Sequence, residues 1–515
     1  MASSQPVVDI TIQEIYMGES GKLNASRSGN AKRDIRVVVI GAGMAGILSG
    51  VKLLEAGIKN FTIYEKASKV GGTWRENTYP GLNCDVPAHS YTYSFEPYPE
   101  WSQFLACGAE IREYFEFVAK KYRVDEMIRF NEELVHCEYK DGRWNLEMKS
   151  GLRDQADIVI AATGVLHHPS YPAIKGIDSF RGTHFHSARW DHSVPLDGKR
   201  IGIIGNGSTG VQIVSALAGR AGKLHHFQRT PQWIFPVENS VFSEEQKAAF
   251  RSDPELLHRM QNEENYLANV ERFTNAVTDT NSPEMLAIQA IVEKNLEDSV
   301  ADPVLREKLR PTYRAACKRL IYSPDYYKAI QHPRSELVTE RIECVEPEGV
   351  RTADGKLREL DVLVLATGFK ADQFMRPAKV IGRDGVSLND VWAQRPVAYL
   401  AVTIPQFPNF YMLNGPSGPV GNFSLIDIAE HQWNYVSQLI ELVRGGECAE
   451  VEVKQEAMAA YEKLRVETAK KTVFASGCKS WYLDANGVPN TWPWSQKRFY
   501  EAMQAPKLKD FVLRA

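Results

Sequence analysis

The sequence predicts an α/β protein with two Rossmann-like dinucleotide-binding domains, and three observations carry that expectation. Two glycine patterns of the form GxGxxG, Gly41-Ala42-Gly43-Met44-Ala45-Gly46 and Gly205-Asn206-Gly207-Ser208-Thr209-Gly210, each follow a β-branched run and open a helical stretch. A charged residue, Glu65 or Arg229, closes the next strand 24 positions after the first glycine of each pattern (41 to 65, and 205 to 229). Two later strands echo each other, Asp157 to Gly164 and Asp361 to Gly368, each starting at an Asp and ending in Ala-Thr-Gly.

Along the chain, residues 1–33 are punctuated by Ser, Gly and Lys and read as an arm on the surface. Ile35 to Ile40 is an apolar run of the kind buried in a parallel sheet, a helix follows to Glu55, and Phe61 to Glu65 completes a βαβ unit. The second unit repeats this text from Lys199, with its helix ending near Ala221 and its second strand at Lys223 to Arg229. Between Phe235 and Pro311 the chain is charged and helix-forming, as in Ser243 to Phe250 and Met285 to Arg310. Such a block fits a helical insertion at about 236–316, serving either as a pocket wall or as a solvated scaffold. The expected division is residues 34–165 with 385–515 as an FAD-binding domain, and 166–384 as an NADP-binding domain.

The cofactors follow from the glycines and the strand ends. The first glycine permits a tight turn, the second lets a pyrophosphate approach the backbone, and the third lets helix and strand pack closely, so Gly41, Gly43, Gly46 and Gly205, Gly207, Gly210 are binding candidates. Asn206, Ser208 and Thr209 belong to the second loop. Glu65 suits a free ribose 2′-hydroxyl and repels a 2′-phosphate, which favours FAD. Arg229 offers a cationic fork for the 2′-phosphate of NADPH, with the Thr230 hydroxyl beside it.

Composition excludes other classes. Lys and Arg total 61 against 64 Asp and Glu, a net charge of -3, which leaves no footprint for nucleic acid. The uncharged stretches Val37 to Val51 and Pro396 to Ile426 are, respectively, too short and too rich in proline to cross a membrane. No secretory pattern opens the chain, and its seven cysteines contain no CxxC pair, so reduced thiols in a cytoplasmic enzyme are expected. Cys84 and Cys107 are too far apart in sequence for a disulfide-reductase pair, and the pairs His167-His168 and His225-His226 lack metal-ligand partners at suitable spacing. A serine-hydrolase elbow would need glycine where Asn206 stands.

Two further stretches bear on what a reduced flavin is used for. Gly71, Gly72, Trp74, Tyr79, Pro80, Gly81 and Asp85 fit GGxWxxxx(F/Y)PGxxxD, and Phe180, Gly182, His186, Trp190 and Asp191 fit FxGxxxHxxxW followed by Asp. On these motifs the chain resembles the Baeyer–Villiger monooxygenases, class B flavoproteins, from about Ile35 to Phe511.

The resemblance implies an NADPH- and O2-dependent enzyme that inserts oxygen beside a ketone carbonyl through a C4a-peroxyflavin, giving an ester or lactone. In Cys317-Lys318-Arg319-Leu320 it implies Arg319 as the catalytic cation and, with Lys318, as part of the NADP site, Lys318 being a ligand of the 2′-phosphate. It implies that Asp85 sits near the flavin and orients the arginine, that Thr73, Trp74, Asp85 and Tyr91 border the FAD, and that His186 belongs to a hinge. It points to Trp492 as a mobile-loop contact to NADP, with the register at Trp494 left open. The rivals are a flavin monooxygenase acting on nitrogen or sulfur and a non-catalytic FAD-binding scaffold. Which ketone is used and the oligomeric state are not written in the sequence.

Overall fold

The computed structural model describes residues 32–261, 264–421 and 423–515. The expected arm therefore lies outside the described residues, apart from its last two. Two five-stranded parallel sheets organise the chain. The first runs in the order Phe410–Met412, Ile158–Ala161, Val37–Ile40, Phe61–Glu65, Ile128–Phe130. The second runs Ser335–Val338, Lys223–Phe227, Arg200–Ile204, Val362–Leu365, Thr183–His186. In each, the strand leading into the glycine loop lies at the centre, where both faces are covered and an unbroken apolar run is at home: Val37, Val38 and Val39 are all fully buried.

The sequence echo has a physical cause. Ile158–Ala161 and Val362–Leu365 occupy the same place beside the two central strands. At the foot of each pair the shared geometry is an Asp accepting a backbone N–H: Asp157 from Arg36 at 2.7 Å, and Asp361 from Arg200 at 2.8 Å. At the head, the Ala-Thr-Gly ends press on the glycine loops. Gly41 and Gly205 have φ of +102° and +109°, and a Cβ there would meet the Ala162 carbonyl oxygen at 2.6 Å and that of Ala366 at 2.2 Å.

Each half also carries a three-stranded antiparallel meander, Leu134–Lys140 to Ala156 in the first and Ile342–Glu346 to Glu359 in the second. Lys379–Ile381 returns to pair with Leu134–Lys140. Between Ile234–Phe235 and Ile321–Tyr322 the chain forms the helices Glu244–Ser252, Pro254–Gln261, Glu264–Thr278, Pro283–Ser299 and Pro303–Leu309. Ser243 starts the first with a capping box to Gln246, and Ser282 and Asp302 cap the last two, each followed by proline at the first helical position. Among the described residues no helix is long and apolar enough to cross a membrane.

One expectation is overturned. Cys317 and Cys478 form a disulfide, with Cα atoms 6.1 Å apart and a sequence separation of 161. No local spacing signals a pair that only the tertiary fold brings together. Cys84, Cys107, Cys137, Cys344 and Cys448 remain thiols.

Buried histidines make the fold acid-sensitive. Burial pushes His89 and His226, 3% and 0% exposed, down to about 4, and burial together with Lys66 does the same to His167. These groups stay neutral in the fold while the unfolded chain takes up protons below its ordinary histidine value, so stability is lost as pH falls from about 6.5 to 4, at about 1.4 kcal/mol per pH unit for each histidine. Glu430, raised by burial to about 7, acts in the opposite sense and offsets one of them. A melting temperature that falls steadily below pH 6.5, with a shallower slope in His226→Gln, is the expected result; an unchanged slope in the variant would discard the assignment.

Candidate active site

A cleft of about 1840 Å³ runs between the two sheets and is lined by both glycine loops. It opens at the carboxyl ends of the central strands, where ligands of α/β folds bind. Two helices aim their amino termini into it, Met44–Glu55 capped by Gly43 and Ser208–Leu217 capped by Gly207. Neither start is satisfied by a side-chain cap, and neither first turn holds an acidic residue. Unsatisfied N–H groups with a positive dipole end fit a pyrophosphate. The third glycines are packing positions, since a Cβ on Gly46 would lie 1.8 Å from the Gly41 oxygen, and one on Gly210 2.0 Å from that of Gly205.

At the first loop, Glu65 is 4% exposed and its carboxylate accepts from the backbone N–H of Ala42 at 2.8 Å and of Ala67 at 2.9 Å. Arg75 pairs with it at 3.1 Å, and a chain of ion pairs continues through Glu76 to Arg189 in the segment joining the two sheets. Burial alone would raise the Glu76 carboxyl, but the hydrogen bond and charge of Arg75, with Arg189, hold it below its ordinary value. Thr73 and Trp74 lie in a short helix on the cleft wall, and the indole Nε1 of Trp74 donates to the Tyr91 hydroxyl at 3.2 Å.

Residues 79 to 83 clasp the second unit to the first. The Tyr79 hydroxyl donates to Gln212 at 2.9 Å and accepts from Thr209 at 3.3 Å, while the Gln212 amide donates to the Asn83 carbonyl at 2.9 Å. Gly81 has φ +79°, and a Cβ on it would stand 2.6 Å from the Gln212 carbonyl oxygen. The motif's glycine therefore permits the two dinucleotide loops to meet across one cleft.

Asp85 and Arg319 face each other where the units join. The guanidinium donates from Nε at 2.9 Å and from Nη2 at 2.8 and 2.7 Å to the two carboxylate oxygens, and from Nη1 to the Gly421 carbonyl at 3.0 Å. Burial opposes the positive charge, but the Asp85 carboxylate and the Tyr482 hydroxyl outweigh it and raise the arginine above its ordinary value. Lys318 stands over the Tyr313 ring with Nζ 4.7 Å from its centre, and burial, with the charge of Arg229, lowers its ammonium. Two cations that disfavour each other beside an open cleft fit an anion. Asn206 donates to the Thr230 carbonyl at 2.7 Å and to Gln228 at 3.1 Å, which fixes the strand end carrying Arg229 and Thr230.

Glu65, Thr73, Trp74, Asp85, Tyr91, Arg229, Thr230, Lys318 and Arg319 thus border one cleft with the loop residues Gly41, Gly43 and Gly205 to Thr209, while Gly46 and Gly210 lie beneath it. Trp492 does not. It is 7% exposed, packs on Trp494 at 4.7 Å and Phe499 at 5.3 Å, and donates to the Ser495 carbonyl. Trp494 is also off the cleft. Besides Trp74, the tryptophan on the wall is Trp481, 50% exposed, followed by buried Tyr482. Aromatic residues crowd both Asn490 to Trp494 and Ser480-Trp481-Tyr482, and only exposure separates Trp481 from Trp492. His186 is buried away from the cleft: Nδ1 accepts from Ala188 and Nε2 meets the Gly368 carbonyl at 3.0 Å, so the ring is neutral with its proton on Nε2. Among the described residues, none from 236 to 316 lines the cleft; Phe273 backs it, its ring standing 2.9 Å from where a Cβ on Gly421 would lie.

Residues 34–381 match the family described as Flavin-binding monooxygenase-like. An uncharacterized monooxygenase of Mycobacterium tuberculosis is 46% identical over 472 residues, 91% of this chain and 94% of the relative. A Baeyer–Villiger monooxygenase of Streptomyces coelicolor is 35% identical over 487 residues, 93% of each chain. The crystal structure of cyclohexanone monooxygenase from Rhodococcus sp. Phi1 bound to NADP+ superposes with a TM-score of 0.83 at 30% identity, covering 93% of this chain and 99% of the other. An oxidized steroid monooxygenase bound to NADP gives 0.83 at 28% identity, covering 93% and 99%. Matched over well more than half its length, the chain belongs to the flavin-binding monooxygenase-like family.

Proposed function

We propose that the protein is an FAD-containing, NADPH- and O2-dependent Baeyer–Villiger monooxygenase that converts a ketone to an ester or lactone. The observation that carries this reading is the forked Asp85–Arg319 pair on a cleft bordered by two bare helix starts. Relatives bearing that name over nearly the whole chain support it. The domain division, with an FAD-binding part at 34–165 and 385–515 and an NADP-binding part at 166–384, belongs to the same proposal. It is supported by the return of Phe410–Met412 to the first sheet, although Lys379–Ile381 pairs with the first part before residue 385.

FAD would be held by the Gly41 loop, with Glu65 toward its ribose and Trp74 and Tyr91 beside it; NADPH by the Gly205 loop, with Arg229, Thr230 and Lys318 on its 2′-phosphate. Flavin chemistry supplies hydride acceptance and oxygen activation. The chain supplies charge and placement. Arg319 keeps its proton at any working pH and offers a permanent cation where negative charge develops on the ketone oxygen as its carbon is attacked. Asp85 holds the guanidinium plane by two parallel hydrogen bonds, which restricts its motion. The Tyr79–Gln212 clasp keeps the two loops together and limits water between them.

The test is NADPH consumption against a panel of ketones, amines and sulfides, with products identified by mass spectrometry. Ester or lactone from a ketone supports the reading; oxygenated amine or sulfide alone, or peroxide alone, overturns it. Coenzyme choice is a separate prediction. Arg229→Ala and Lys318→Ala are each expected to raise the KM for NADPH about tenfold or more and that for NADH by less than about twofold, because a charge-assisted contact to phosphate is lost only with the former. Equal changes for both coenzymes would remove these residues from the phosphate site. A cytoplasmic location is also proposed; a disulfide between residues 0% and 6% exposed is shielded from thiol reductants there.

A further inference from the structure

The segment from Cys478 to Thr491 crosses the cleft as a strap fixed at both ends. Downstream, Arg395 pairs with Asp484 at 2.7 Å, and fully buried Arg465 donates to the carbonyls of Pro489 at 2.8 Å and Thr491 at 3.2 Å. Glu462 ties the two arginines together. The strap closes on itself where the Asn490 N–H donates to the Tyr482 carbonyl at 2.8 Å. Upstream the fastening is covalent, the Cys317–Cys478 disulfide, whose partner cysteine stands two residues before Arg319. Between the two anchors Tyr482 is 3% exposed, its ring set against Phe474 at 4.8 Å and Trp481 at 4.3 Å; it borders the cleft together with Arg319, near enough for the guanidinium charge to act on its hydroxyl.

We infer that Tyr482 is a positioning residue for Arg319, kept in register with it by the Cys317–Cys478 disulfide. This rests on the functional reading above. Asp85 grips one edge of the guanidinium and, being an anion, draws the cation toward itself. The Gly421 carbonyl and the Tyr482 hydroxyl are neutral acceptors, so they hold the group in place without cancelling the charge that the reaction needs. Burial raises the Tyr482 phenol, which keeps it neutral in that role. The disulfide fastens the loop of Arg319 to the loop of Tyr482 a few residues from each, so neither moves without the other.

The experiment compares wild type, Tyr482→Phe, Cys478→Ala and the double variant, all as FAD-loaded full-length protein. Four quantities are read: flavin reduction by NADPH, ester formed, peroxide released, and the KM for NADPH. Peroxide release without ketone follows NADPH + H+ + O2 giving NADP+ and H2O2, so it needs no substrate assignment. Tyr482→Phe is expected to reduce the rate of ester formation about tenfold, with flavin reduction and the KM for NADPH within about twofold, because the neutral polar neighbour of a charged group is lost. Peroxide release is expected to rise several-fold, a shift that a change in overall stability would not produce at an unchanged rate of flavin reduction.

Cys478→Ala should move the same quantities in the same direction and speed tryptic cleavage after exposed Lys479. The double variant should be no worse than the more affected single one, because the disulfide acts through Tyr482. Wild-type coupling in Tyr482→Phe, or multiplying effects in the double variant, would overturn the inference. A wild-type protein that forms no ester from any ketone refutes the functional reading instead, and the peroxide comparison still decides the role of Tyr482.

Discussion

Replacing Arg319 by alanine is expected to leave NADPH able to reduce the bound flavin at a rate within a few-fold of wild type, while ester formation falls by at least about 100-fold, the usual cost of deleting one preorganised charge-stabilising donor. The two steps separate because they ask different things of the cleft. Hydride transfer needs the nicotinamide and flavin held by the glycine loops, and those contacts do not pass through the guanidinium. Oxygen transfer places negative charge in a site walled by protein, where a fixed cation is worth far more than in water. The variant also leaves Asp85 facing the cleft without its forked partner, so Arg319→Lys is the informative companion. A lysine restores the charge but not the two parallel hydrogen bonds. It should recover only part of the lost activity. Stopped-flow reduction and product analysis check both variants, and ester formation by Arg319→Ala at the wild-type rate would remove the arginine from its role.

The parts of this site that could be read in the sequence are those the backbone writes locally. A glycine that must hold φ near +100° beside a carbonyl, as Gly41 and Gly205 do, leaves a pattern within six residues. The Asp157 and Asp361 echo is legible for the same reason, because the same strand-foot hydrogen bond recurs in each half. What escaped depends on distant segments. Cys317 and Cys478 meet only after both halves have folded, so composition led to the wrong redox expectation. The tryptophan of the strap differs from the expected Trp492 because aromatic residues near a loop look alike until burial separates exposed Trp481 from packed Trp492. The role of Tyr482 is not written in its neighbours. A phenol becomes a partner of a guanidinium only through the strap that carries it, and that strap is set by Arg395, Arg465 and a disulfide from three separate stretches of the chain.

Gly46→Ala and Gly210→Ala, made one at a time, are expected to separate the two nucleotide sites. Each substitution puts a methyl group far inside van der Waals contact with a carbonyl oxygen, 1.8 Å from Gly41 O in one case and 2.0 Å from Gly205 O in the other. Neither neighbour can yield cheaply, because both are backbone of the turn that faces the ligand. The helix must therefore move off its loop, and the N–H groups at its start leave the position that fits a pyrophosphate. For Gly46→Ala the expected product is a folded but largely colourless protein, with flavin content at or below about a tenth of wild type, since losing two or more backbone contacts to a phosphate costs more than about 1.4 kcal/mol. For Gly210→Ala the protein should stay yellow, because the first loop and its Glu65 are untouched, while the KM for NADPH rises at least about tenfold. Dithionite, which reduces flavin without a nicotinamide site, should still bleach it at the wild-type rate. Flavin absorbance per mole of protein and the two reduction rates decide the matter. Loss of flavin from Gly210→Ala, or retention by Gly46→Ala, would reverse the assignment of cofactor to loop, whereas equal loss from both would mean that the Tyr79–Gln212 clasp makes the two sites a single cooperative unit.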